Sequence, residues 1–424
     1  MHGEEDVKKV LAEIDTEALV DLAQALGNIA SPRGREKEVG DFLHDWLLKA
    51  GFSAFKQEVL PDRNNVVAKL PGTGQGRSLI FNSHMDTGVW QPEDRWTIGP
   101  EEYYDNHAWV ENGKIYGAGV VNDKGPLAAF VIAAKAIRDS GIRLRGDIVL
   151  SGVIGEVAWA PIDEFQDSRR LAQGNGSRHL IEHGVWGDYA LVAETTNFGL
   201  TWAECSTAFF KVTVHGRRTY TPYYVYSDDP HSHCNPIFKM SKVIQAVEEF
   251  GREYEQKHRY QFEAGTIVPK IAAGAIRGGN PCSPEAGPAI SSIYLSAMLP
   301  PCLEPGQLME EIRTFFDRWG IEADIQLYMF MRGYVGQNIE PLKEAIEKAH
   351  NLMFNSKPGP VPEAVSSMWR DINIFNGAGI PAITYGPGRG VGSSESEDRI
   401  PHFTIKEFVT ASKVYALTAL FLCG

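Results

Sequence analysis

His84 and Asp86 stand two residues apart at the end of the apolar run Leu79-Ile80-Phe81-Asn82-Ser83. In an extended chain that spacing puts both side chains on one side. An imidazole there can bind a metal through one nitrogen while a carboxylate holds the proton on the other. Two more apolar runs close on acids in the same way. Gly146 to Gly155 leads to Glu156, and Gly187 to Ala193 leads to Glu194. One strand-end acid is commonplace. A His and several acids at the same end of one sheet describe a site, because ligands of α/β sheets collect at the carboxyl ends of the strands.

The elements that must position these residues follow from periodicity. Residues 5–27 repeat apolar positions at helical spacing, and a second helix (Val39, Phe42, Leu43, Trp46, Leu47) ends at Gly51. Asn65 to Leu70 reads as a strand, and Glu111-Asn112-Gly113-Lys114 as a hairpin. Ile115 to Pro126 leads into an Ala-rich helix, Leu127 to Ser140. Its two glycines are weak evidence for a phosphate cradle, and Asn122-Asp123-Lys124 suits a metal edge better. Composition shifts near residue 206. The alternating stretch Phe209 to Gly216, helices near 235–256 and 304–319, and a strand at Ser291–Met298 read as a ferredoxin-like α+β insert. The chain then resumes helix (Glu340–Phe354), a polar loop around Arg370-Asp371, a strand at Ile380–Tyr385 and a terminal packing helix.

The expected fold is therefore α/β: a three-layer catalytic domain of residues 1–206 and 331–424, carrying an insert of residues 207–330. A chain of 424 residues supports two cores. A formal charge of −13, without a Lys/Arg cluster, argues against nucleic acid or an anionic membrane as partner. Five scattered cysteines fit a reduced compartment, and no apolar run approaches the roughly 20 residues of a membrane span. With an acidic N-terminus lacking an apolar leader, a cytoplasmic protein is expected.

The ordered motifs Ser83-His84-Met85-Asp86, Tyr116-Gly117-x-Gly119, Asp123-Lys124-Gly125, Ile154-Gly155-Glu156, Val192-Ala193-Glu194, Gly379-Ile380-Pro381 and Tyr385-Gly386-Pro387-Gly388 resemble those of one family. It contains acetylornithine deacetylase, succinyl-diaminopimelate desuccinylase, aminoacylase and glutamate carboxypeptidase. The resemblance implies a zinc-peptidase-like catalytic domain with a lid and dimerisation domain, hence a homodimer or larger homo-oligomer. It also implies two zinc ions bridged by an Asp and a water, with His84 and Glu194 on the first ion and Glu156 as general base.

Three departures stand out. The bridging position falls on Asn122, with Asp123 next to it and either able to face the metal. Val157 follows Glu156 where the second ion's Glu belongs. The late His falls near Ser394, with His402 out of register. Without a second ion a bridging carboxylate has nothing to bridge. The expectation is one exchangeable divalent ion, manganese or zinc, on His84, Asn122 or Asp123, and Glu194. Glu156 would take the proton of a water on that ion, and Asp86 would orient His84.

The family's lid His is replaced by Tyr220, in a stretch with Tyr223, Tyr224 and Tyr226. A phenol and an aromatic wall favour a flat substrate. Arg370, Arg389 and Arg277 are candidates to hold an acidic group on it. The resemblance and its departures lead to an aminohydrolase reaction as the first expectation. In it, hydroxide generated at the metal replaces the amino group of a small aromatic acid, with 5-nitroanthranilate going to 5-nitrosalicylate and ammonia. The alternatives are an aminoacylase or dipeptidase acting on an amide, and a non-catalytic dimerising relative.

Overall fold

The computed structural model describes residues 3–88, 107–230, 232–388 and 400–424. The chain divides into two units. One comprises Met1–Trp202, Val335–Val365 and Arg370–Gly424; the other comprises Ala203–Tyr334 and Ser366–Trp369. The short return of Ser366–Trp369 to the second unit departs from the expected division. The Ser367 hydroxyl accepts the backbone N–H of Val268, and the Ser366 hydroxyl donates to the carbonyl of Thr266, which ties that segment to the insert.

The first unit is built on a six-stranded mixed sheet. Its strands are β1 (Ser53–Leu60), β2 (Arg63–Leu70), β3 (Leu79–His84), β4 (Ile148–Val153), β5 (Tyr189–Val192) and, late in the chain, Ala382–Thr384. β3 lies between β4 and β5, parallel to both, with Leu79 opposite Ile148 on one side and Tyr189 on the other. Parallel strands buried on both faces read as continuous apolar runs, as Leu79-Ile80-Phe81 and Ile148-Val149-Leu150 do.

On one face, Phe81 stacks on Phe130 of the helix Gly125–Asp139 at 5.6 Å and meets Tyr415 of the terminal helix Ile405–Cys423 at 5.8 Å. On the other, Ile80, Val149, Ala190 and Val192 pack with Leu180, Ile372 and Phe375. These layers hold the carboxyl ends of β3, β4 and β5 rigidly abreast.

The N-terminal periodicity resolves into two helices, Glu4–Ala12 and Thr16–Asn28, rather than one. The carboxylate of Asp15 accepts the backbone N–H of Ala18 at 3.0 Å and caps the second. The expected hairpin is present: Trp109–Glu111 pairs with Lys114–Tyr116, with Asn112 and Gly113 at φ 48° and 73°.

The second unit has a four-stranded antiparallel sheet in the spatial order Lys270–Gly278, Ile290–Leu299, Ser206–His215, Asp324–Met331. Helices Pro236–Lys257 and Pro305–Arg318 complete a β-α-β-β-α-β sequence of elements. Their Val243, Val247, Phe250, Ile312 and Phe315 share a core with Phe210, Val212, Ile293 and Leu295 of the sheet. No helix among the described residues is long and apolar enough to cross a membrane.

Candidate metal centre

Register brings the chemistry together. His84 is the last residue of β3 and pairs with Val153, three residues before Glu156. Asn82 pairs with Val192, so Glu194, two residues further on, comes level with His84. One nitrogen of His84 and one oxygen each of Glu156 and Glu194 lie within 4.8 Å of one another. His84 Nε2 is 3.6 Å from both Glu156 Oε2 and Glu194 Oε1, and 2.9 Å from Asn122 Oδ1. All three titratable groups are at most 8% exposed.

The electrostatics of this cluster ask for a cation. Burial works to lower the basicity of His84, but the carboxylates of Glu156, Asp86, Glu194 and Asp123 outweigh it and push it up to about 10. Burial raises Glu156 well above the usual carboxylate range; His84 opposes the shift, while Glu194 and Asp371 add to it. Acids crowded this closely cannot all ionise without a positive charge among them. The donor set of one imidazole, carboxylates and an amide oxygen fits a divalent transition ion.

Of the two candidates at the Asn122–Asp123 step, Asn122 presents its side-chain oxygen to the His84 nitrogen. Asp123 accepts from the Ser83 hydroxyl at 2.5 Å, its Oδ1 lacking a hydrogen-bond partner. Burial first, then Glu194, holds its carboxyl well above the ordinary range. Asp123 thus lies outside the convergent set.

Asp86 acts differently from the expectation. It is the backbone carbonyl of Asp86 that accepts Nδ1–H of His84, at 2.7 Å; its carboxylate oxygen is 3.7 Å away. The carboxylate instead accepts the backbone N–H groups of Glu156 and Val157, at 3.0 and 2.8 Å. Arg370 also departs from its expected place on a substrate acid. Its Nε lies 3.3 Å from Glu194 Oε2, and Nη1 donates to the Val365 carbonyl at 3.0 Å.

Tyr220 belongs to the second unit, where it pairs with Ala286 and meets the ring of Tyr223 at 6.2 Å. Arg389 and the Ser394 region lie outside the described residues. His402 pairs with Tyr116 in a small sheet, the rings 5.1 Å apart.

A supporting layer went unread in the sequence. Asp371 accepts from Ser177 Oγ at 2.6 Å and from Asn82 Nδ2 at 3.2 Å, and the Ser151 hydroxyl reaches Asn82 Oδ1 at 2.8 Å. Burial pushes the Asp371 carboxyl up to about 6. The available signal was parity: Asn82 lies two residues before His84, on the same side of β3.

Comparison with known proteins agrees with this architecture. The family model of peptidase family M20/M25/M40 matches residues 80–420. The chain is 26% identical over 417 residues to N-formyl-4-amino-5-aminomethyl-2-methylpyrimidine deformylase of Bacillus subtilis (strain 168), covering 90% of this chain and 89% of that protein. It is 29% identical over 241 residues to acetylornithine deacetylase of Vibrio cholerae serotype O1, covering 56% of this chain and 55% of that protein. The dipeptidase Dug1p from Saccharomyces cerevisiae shares the fold, with a TM-score of 0.71 at 13% identity and 98% of each chain covered. With the family pattern running from β3 to the terminal helix, the chain belongs to peptidase family M20/M25/M40.

Proposed function

We propose that this protein hydrolyses the C–N bond of an amide on a small, flat, acidic substrate, using one divalent ion. The convergence of His84, Glu156 and Glu194 at the carboxyl ends of three parallel strands carries this reading. His84 Nε2, Asn122 Oδ1 and Glu194 Oε1 would hold the ion. When bound, it supplies a Lewis acid and makes a water acidic enough to lose its proton near neutral pH. Glu156 takes that proton and returns it to the leaving nitrogen. Asp86 fixes the loop that carries Glu156, and its carbonyl fixes the tautomer of His84.

The amide reading displaces the aminohydrolase reaction expected above, because the relatives by name are a deformylase, a deacetylase and a dipeptidase. The deformylase acts on a formylated aminopyrimidine, which supports a planar ring in the substrate. Neutral Asn122, apolar Val157 and the Arg370 cation on Glu194 leave less negative charge around the ion than two bridged carboxylate sites would.

Ring-carbon displacement on 5-nitroanthranilate is kept as a second reading for one reason. By the family resemblance read in the sequence, Tyr220 falls at the position of a His that serves an amide oxyanion. For assembly, the strand Lys270–Gly278 ends its sheet and is exposed along nearly its whole length. That edge supports pairing with a second copy of the chain.

The test is to load the purified protein with Mn2+ or Zn2+ and offer N-formyl and N-acyl aromatic acids, dipeptides and 5-nitroanthranilate. Amine release from the acylated acids, lost in Glu156→Gln with the ion retained, supports the first reading. Ammonia release from the nitroarene alone replaces it with the second. No turnover of any of them, with metal bound, overturns both.

A further inference from the structure

A buried ion pair lies next to the segment that carries Glu156. β2 runs antiparallel to β4 and pairs Val66 with Gly152. Three residues back along β2, Arg63 comes level with Gly155, three residues on from Gly152 and directly before Glu156. Gly155 adopts φ 67°, and a Cβ on it would stand 3.1 Å from Nη2 of Arg63. Arg63 and Asn65 share a side of β2. The side chain of Asn65 accepts the backbone N–H of Ile154 at 3.1 Å and donates to the Gly176 carbonyl at 2.9 Å.

The guanidinium of Arg63 makes two sets of contacts. Nε and Nη2 donate to the two carboxylate oxygens of Glu36 at 2.8 and 2.7 Å, a bidentate pair at most 2% exposed. Nη1 donates to the Leu171 carbonyl at 2.7 Å, with the carbonyls of Ser168 and Arg169 at 3.4 Å. Those carbonyls close the loop that opens at Glu156, since the N–H of Gly174 returns to the Gly155 carbonyl at 2.9 Å. Early in the same loop, Arg33 donates to the Ala158 carbonyl at 3.2 Å, and Arg33 and Arg170 lie over the ring of Trp159 at 5.1 and 5.3 Å. Only a planar fork of N–H groups can hold Glu36 and Leu171 together; a lysine ammonium cannot.

Buried ion pairs add little net stability over apolar packing, so what this one supplies is direction. We propose that Arg63, braced by Glu36, is a positioning residue for Glu156. It joins the two ends of the loop and so keeps the Glu156 carboxylate beside His84 Nε2, 3.6 Å away. Asp86 grips the same segment separately, at the N–H groups of Glu156 and Val157. The catalytic consequence rests on the amide reading given above; the mechanical one does not.

The experiment compares the full-length wild type with Arg63→Lys, which keeps a charge beside Glu36 but cannot also hold Leu171. Amide hydrogen exchange over residues 154–174 should quicken about tenfold or more, while β3 and β5 exchange as in the wild type. On an acylated acid that the wild type hydrolyses, kcat should fall about tenfold or more at nearly unchanged KM. Mn2+ affinity should stay close to the wild-type value, because His84, Asn122 and Glu194 are untouched. Glu36→Gln, which loosens the brace, should move exchange and kcat the same way. Wild-type exchange and kcat in Arg63→Lys would overturn the proposal. So would a parallel loss of kcat, Mn2+ affinity and protection across the whole sheet, the mark of a merely structural pair. If the wild type itself releases no amine, the amide reading fails on its own, and exchange over 154–174 still decides whether Arg63 holds the segment.

Discussion

The carboxylate of Asp86 accepts the backbone N–H of Glu156 at 3.0 Å, so the strand that ends in His84 directly positions the loop that carries the acid. Val157 gives its N–H to the same carboxylate at 2.8 Å. Both bonds are charge-assisted, the first buried and the second partly so, which makes them strong and costly to lose.

Asp86→Asn keeps the carbonyl bond to His84 but turns an amide N–H2 toward one of those two backbone donors. Leaving a buried donor unsatisfied costs about 1–3 kcal/mol. The expected result is a lower melting temperature and kcat reduced about 10- to 100-fold, with metal content near the wild-type level. Wild-type kcat in this variant would show that the clamp does not position Glu156.

Arg370→Gln removes one of the two cations beside the buried Glu194 carboxylate and leaves only the His84 imidazolium, 3.6 Å away, to balance it. Breaking such a pair costs about 3–5 kcal/mol. The metal-free variant should melt well below the wild type, and added Mn2+ should restore much of the difference, since the ion replaces the lost charge. Arg370→Lys should fall between them. Thermal melts with and without metal check this; equal melting temperatures would remove Arg370 from the site.

Metal uptake should depend on pH in a definite direction. In the metal-free protein the four acids hold His84 up at about 10, so its ring is protonated at neutral pH and an incoming ion must displace that proton. Affinity for Mn2+ should rise as pH increases from 6 to 9, by up to about tenfold per unit, with proton release on binding. Calorimetry in buffers of different ionisation enthalpy measures both quantities. A pH-independent affinity would count against His84 as a ligand.

Asn122→Asp restores a carboxylate beside His84 Nε2. Without metal it adds another acid to a buried, already acidic cluster, so the metal-free fold should lose stability. With metal it is a better ligand than an amide, so affinity should increase about tenfold or more. Opposite movement of these two quantities in melts and titrations is the expected signature. The ion count should stay at one, because Val157 still offers no second-site ligand.

Much of the catalytic unit was legible in the sequence. Apolar runs ending on His84, Glu156 and Glu194 specify parallel strands with acids at one end, because side-chain burial dictates the strand pattern and strand direction dictates which end is shared. The ferredoxin-like insert was legible for the same reason, from alternation and helical spacing. What the tertiary structure decided was which polar atom meets which. Only the fold shows that Asn122 presents its side-chain oxygen to His84, that Asp86 uses its carbonyl on the ring and its carboxylate on the loop of Glu156 and Val157, and that Arg370 pairs with Glu194. Those partners come from segments as far apart as residues 86 and 156, or 194 and 370. Periodicity reports which face a residue occupies, but a hydrogen bond needs atoms placed to within tenths of an ångström, and packing of the three layers alone sets that.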